Sequence, residues 1–260
     1  MARPPAPLTL TPMDEPGPVP LARAGGSAAS VARADARASH LKLLAWLSPS
    51  FPIGAYSYSS GLEWAVEAGV VRDADALAAW IGAVLAHGAG WTDAVLLCRA
   101  WRAARDGDGA ELCDAAELAL ALQPSRERLL EAAGQGNAFL TAVLAAWPAP
   151  AVAAFRRAWR GDVAYPVAVG VAAAAHGIPL EDTLPAYLHA LTANLVSAGV
   201  RLVPLGQTAG LMVIAGLEPL LLTHARAAIA AGPEDFGGAA LLADIAAMRH
   251  ETQQTRIFRS

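Results

Sequence analysis

The sequence predicts an all-α fold, on three observations. Apolar residues recur at i, i+3 and i+4 along most of the chain after Leu41, alanine fills 63 of 260 positions, and β-branched runs of period two are few. Alanine is the strongest helix former, so the composition and the periodicity agree. With 55% hydrophobic and 16% charged residues the chain can bury a sizeable core, and one compact bundle of about ten helices is expected over residues 39–260. The mean hydropathy of +0.38 comes largely from alanine, which offers lipid little apolar area. The apolar stretch 200–222 is broken by Arg201, Gln207, Glu218 and Pro219, so no membrane span is expected.

Taken in order, residues 1–38 carry seven prolines by Pro20, then Gly, Ser and Arg among alanines, which reads as a disordered extension. No sustained apolar core marks it as a signal peptide. Leu77, Trp80, Ile81, Val84 and Leu85 form one helix stripe, with Asp73 as N-cap and Gly88 as stop. A second helix runs from Thr92 to Arg105, whose cations suit a helix carbonyl end, and Asp106-Gly107-Asp108-Gly109 turns the chain. Residues 110–122 form a third. Pro124-Ser125 opens a longer one with a stripe through Leu129, Ala133, Gly136, Leu140, Val143, Leu144 and Trp147, whose small members suit close helix packing. Further helices are expected at 150–159, 166–175, 183–198, 206–215, 219–230 and 238–250, mostly opened by proline.

Several chemistries are excluded. The single lysine, Lys42, follows Leu41 and cannot complete a phosphate loop, so the chain is not a P-loop GTPase. His250-Glu251-Thr252-Gln253-Gln254 approaches a zinc-protease helix but has Gln254 where the second imidazole is required. Gly134-Gln135-Gly136 lies in a helical pattern, where close packing explains it better than a dinucleotide. The six histidines are scattered, and for each a surface or helix-terminal place is expected before metal ligation; no metal site and no catalytic residue is assigned. Cys98 and Cys113 form no framework, which fits a reducing cytoplasm. A net charge of -4 without an extended basic block argues against nucleic acid.

Three segments stand apart. Ser48 to Trp64 is punctuated by Pro49, Pro52, Gly54 and Gly61 and reads as a shaped loop entering a helix at Leu62-Glu63; Arg201 to Thr208 spells RLVPLGQT; and Met248 to Ser260 mixes Ile257 and Phe258 with Arg256 and Arg259, the makings of a tail that orders on a partner. Together they resemble the urease accessory protein UreF family. Its SPxxPxGxxxxSxGLE signature is matched by Ser48, Pro49, Pro52, Gly54, Ser59 or Ser60, Gly61, Leu62 and Glu63. Its RLxPLGQ segment is matched from Arg201 to Gln207, and its HETQxxRxFRS terminus by His250 to Gln253, Arg256 and Phe258 to Ser260. Ala209 and Leu211 stand where family members often carry polar residues.

The resemblance, over roughly residues 41–260, implies a non-enzymatic helical chaperone that dimerises and binds UreD and the GTPase UreG, helping to load nickel into apo-urease. No cofactor is implied; nickel is cargo in transit. Partner-binding roles are expected for Tyr56, Ser57, Glu63, His250, Glu251, Arg256, Phe258 and Arg259, with Glu63 alternatively capping its helix. Structural roles are expected for Pro52, Gly54, Gly61, Arg201, Gly206 and Gln207. The competing class is a helical hydrolase or metalloenzyme using His250 and Glu251 with remote ligands.

Overall fold

The computed structural model describes residues 28–232 and 235–260; among them eleven α-helices and one 3-10 turn occur, with no strand. The first helix, α1 (Ala28–Trp46), buries Ser39, Leu43 and Trp46 on one face. It starts inside the expected extension. Residues 28–38 are rich in Ala and Arg, both good helix formers, and no Gly or Pro separates them from the packed end of the helix, so the helix propagates backward. The rest of that extension, residues 1–27, lies outside the described residues.

After a loop containing the 3-10 turn Ala55–Ser57 come α2 (Leu62–Glu67), α3 (Ala74–His87), α4 (Ala89–Asp106), α5 (Gly109–Ala121) and α6 (Arg126–Ala146). The expected caps and turns form, although α4 starts at Ala89 rather than Thr92. Asp73 accepts from Ala76 N at 2.8 Å, Ser125 from Arg128 N at 3.2 Å and Asp108 from Glu111 N at 3.0 Å, and Gly107 closes α4 with φ +74. Then follow α7 (Pro150–Ala158), α8 (Tyr165–Ala175), α9 (Leu180–Leu202), α10 (Gln207–Ala230) and α11 (Leu241–His250).

The core is centred on α4 and α8, which pack along much of their lengths, with α6 against α8 and α9 against α10. Every residue from Pro166 to Ala173 is buried. Two helices foreseen at 206–215 and 219–230 are one continuous α10 with Pro219 inside it. Proline frees the carbonyl four residues earlier, here Ala215, and both residues face solvent, where water satisfies the carbonyl. Likewise α9 begins at Leu180 and tolerates Pro185, because the freed carbonyl of Glu181 is also on the exposed side.

The small-residue stripe of α6 lies at a helix interface, but its first turns are rotated. Leu129 is 38% exposed, whereas Arg128, Glu131 and Gln135 point inward. Gly136 is where α6 meets the chain entering α8: a Cβ there would fall 1.9 Å from the Val163 carbonyl oxygen and 2.7 Å from the Ala164 carbonyl carbon. Both obstacles are backbone and cannot swing aside. Gly136→Leu is therefore expected to destabilise the chain by at least roughly 1 to 3 kcal/mol. A chemical denaturation midpoint equal to the parent's would show that α6 and α8 do not meet there.

Candidate functional site

The three unusual segments, distant in sequence, meet on one face. Gly54 at φ +71 and Gly61 at φ +84 take left-handed conformations that set the course of the loop. Gly61 also lets the start of α2 press against α11, since a Cβ would lie 2.6 Å from Ala247 N. Pro52 and Tyr56 are exposed on this loop, and Ser57 Oγ donates to the Gly54 carbonyl at 2.7 Å.

Glu63 neither caps its helix nor reaches outward. The residue is 5% exposed, and its carboxylate accepts the backbone N–H groups of Ile257 at 2.7 Å and Phe258 at 2.9 Å. The same carboxylate faces His250 Nε2 at 3.1 Å, and His250 Nδ1 faces Glu127 Oε2 at 2.6 Å. His250 thus stands between two carboxylates, one at each ring nitrogen. Arg256 supplies a positive charge, donating to Glu127 at 2.6 Å.

The tail then continues as a strap. Arg259 N donates to Ser57 O at 2.8 Å, Ser59 N donates to Ser260 O at 2.7 Å, and Ser260 Oγ donates to Glu131 at 2.6 Å. Phe258 is buried under Arg201, whose guanidinium stands 4.4 Å from the ring centroid and donates to Tyr56 O at 2.9 Å. Arg201 thus ties the second segment to the other two, while Gly206 and Gln207 only open α10, exposed.

Three of the residues with expected partner contacts lie inside the chain. Glu63, His250 and Phe258 are buried and bonded within the chain, because the tail they hold is itself the covering layer. Exposed members of the set are Tyr56, Glu251, Arg256 and Arg259, with Ser57 half-buried and Ile257 exposed beside them. Both ring nitrogens of His250 are engaged, so none offers a free lone pair to a metal, and Glu251 accepts from Glu127 N at 3.2 Å at the start of α6.

Sequence reasoning missed a second layer below the strap. Arg128 and Glu131 form an ion pair at 2.5 Å with side chains less than a tenth exposed, and Arg128 donates to Ser60 Oγ at 2.6 Å. Tyr187 Oη donates to Asp93 Oδ2 at 2.8 Å. Burial pushes the Asp93 carboxyl up to about 6 and raises the Tyr187 hydroxyl well above its ordinary value. The available signal was a pair of opposite charges three residues apart on a helix.

The sequence model of the UreF family matches residues 71–218. The chain belongs to the UreF family. Proteins named urease accessory protein UreF from Rhodopseudomonas palustris strain HaA2, Xanthobacter autotrophicus strain Py2 and Methylorubrum populi are 53%, 52% and 51% identical to it. Those matches cover 87%, 92% and 85% of this chain and 96%, 98% and 98% of the relatives. Both the Ser48–Glu63 loop and the tail lie outside the span of the family model, so the strap is a feature that the three-dimensional arrangement brings forward.

Glu63→Ala is expected to cost roughly 2 to 4 kcal/mol, because it leaves buried donors of the tail and of His250 without acceptors. Hydrogen exchange should accelerate at Ile257 and Phe258 while the α4 and α8 amides stay protected; unchanged exchange at the tail would refute the role of Glu63. The buried Asp93 gives a pH signature of the opposite sense to a salt-bridged carboxylate. Its folded pKa lies above its unfolded value, so its contribution to stability is present below about pH 4 and is lost as pH rises through about 6. Relative to Asp93→Asn, the parent should lose up to about 3 kcal/mol across that window, at about 1.4 kcal/mol for each pH unit between the unfolded and folded values. Urea denaturation of both proteins at intervals of pH measures the difference.

Proposed function

We propose that the chain is a non-enzymatic chaperone of urease maturation, acting in the cytoplasm as a homodimer with UreD, the GTPase UreG and apo-urease during nickel insertion. Nickel is cargo on this reading, and GTP hydrolysis belongs to UreG. The observation that carries it is the near full-length similarity to proteins named urease accessory protein UreF, together with the convergence of three family-like segments on one face. The missing P-loop lysine agrees with it.

Two surfaces support partner binding. The strap presents Tyr56, Arg256, Ile257 and Arg259 on an ordered platform, which suits UreD. The outer face of α10 exposes Leu211 at 66%, Met212 at 71% and Leu222 at 47%, with Glu218 and Arg226 as its charges. α10 is one of two stretches among the described residues long and apolar enough to cross a membrane; the other, Ala74–Asp106, comprises α3 and α4 of the bundle, and its most apolar part is largely buried. A self-complementary α10 face would cover these residues in a dimer.

Pull-down with UreD tests the platform. Arg256→Ala and a truncation after Gln254 should each reduce capture at least about tenfold, equivalent to about 1.4 kcal/mol. Urease activation should fall with it, while Leu211→Glu should leave UreD capture intact and halve the mass in solution. Undiminished capture by both tail variants, in proteins with parental circular dichroism, would remove the docking role.

A further inference from the structure

Beneath the Ser48–Glu63 loop lies a cavity of about 240 Å³ that the proposed assembly role does not use. Its mouth opens between Tyr56 on the loop and Ser197 on α9, both exposed. The walls are largely aliphatic and aromatic, with the Tyr165 and Tyr187 rings tilted toward each other at 5.4 Å between centroids. Asp93, Arg128 and Glu131 line its inner end.

The charges at that end do not cancel. Glu131 holds Arg128 at 2.5 Å, and one guanidinium balances one of the two carboxylates. Asp93 is 8% exposed; its Oδ2 is taken by Tyr187, and no donor among the described residues bonds to Oδ1. Asp93 lines the cavity with one carboxylate oxygen unbonded, and such a group suits a donor with positive charge. A divalent metal ion would require several convergent ligands, and no group of three His, Cys, Asp or Glu side chains assembles among the described residues. An anion would meet two carboxylates. The apolar walls suit a stem.

We propose that this cavity binds an alkylammonium or alkylguanidinium group, its charged head bonded to Asp93 Oδ1 and its stem against the apolar wall. The same chemistry is offered by a free small amine and by the lysine or arginine side chain of a docking protein.

Isothermal titration of the full chain with n-butylammonium, n-butanol and butyrate distinguishes charge from shape. Butylammonium should bind saturably at one site and at least about tenfold more tightly than butanol, a difference of about 1.4 kcal/mol, with no binding of butyrate. Asp93→Asn should abolish that preference. Ser197→Trp, an exposed change at the mouth, should block entry without touching the buried network, and it keeps the test open should Asp93→Asn fold poorly. The charged and titratable groups acting on Asp93 are Arg128 and Glu131 from α6 and Tyr187 from α9; Tyr165 from α8 and His189 from α9 line the same cavity, and Asp244 from α11 lines a second, smaller cavity that Asp93 also borders. As Asp93 takes up its proton near pH 6, affinity should fall about fourfold from about pH 7.5 to about pH 5.5. Equal binding of butanol or butyrate, absence of saturable binding, or full affinity in both variants would overturn the proposal. Where butylammonium binds, its release of an assembled partner identifies a protein side chain as the occupant, and binding without release identifies a free amine; either result supports the site. Failure of the UreD pull-down would leave this titration unaffected, so the two readings fail separately.

Discussion

The Glu63 carboxylate is the constraint on which the candidate site depends. Buried at the start of α2, it must be given donors, and the chain supplies them from its far end: two consecutive backbone N–H groups of the tail and one imidazole nitrogen at the close of α11. Leaving such a charge unpaired inside a protein costs far more than a hydrogen bond contributes in water. The tail, α2 and α11 are therefore positioned jointly. Glu127 extends the constraint to α6, because it faces the other nitrogen of His250 and also accepts from Arg256.

Below this layer the Arg128–Glu131 pair repeats the principle. A buried ion pair contributes little net stability over a well-packed apolar substitute, but removing one member is severe. Its consequence here is rotational: α6 is turned so that Arg128, Glu131 and Gln135 face inward and Leu129 faces outward, against the apolar pattern of its first turns. Further along, Phe139, Leu140 and Val143 return to ordinary core packing. One helix thus holds both a polar floor beneath the strap and a conventional apolar seam against α8.

Two apolar helices show how the same composition meets different fates. α8 has no charged residue and is buried through its middle; α10 is nearly as apolar yet leaves one side open. The difference lies in position. α8 is enclosed by α4, α6 and neighbouring helices, whereas α10 packs on α9 and α3 at the edge of the bundle. Glycines such as Gly136 and Gly170 let the enclosed segments approach at backbone distance, whereas a Cβ at Gly210 of α10 would meet side chains of α9.

Helix identity was legible in the sequence because it depends on local quantities: alanine content, 3.6-residue periodicity, and caps such as Asp73, Asp108 and Ser125 that act within a turn. Family resemblance was legible too, since it rests on residue types in order. The continuous α10 was not, because whether Pro219 breaks a helix depends on whether water reaches the freed carbonyl. Nor were the fates of Glu63, His250 and Phe258. Their exposure is set by a tail that returns across more than 185 residues of sequence to bond them, and Phe258 is covered by Arg201 from yet another helix. Local sequence determines what each segment can form; which charges end up buried, and against which partners, is decided only when distant segments share one dry interior and every donor there must find an acceptor.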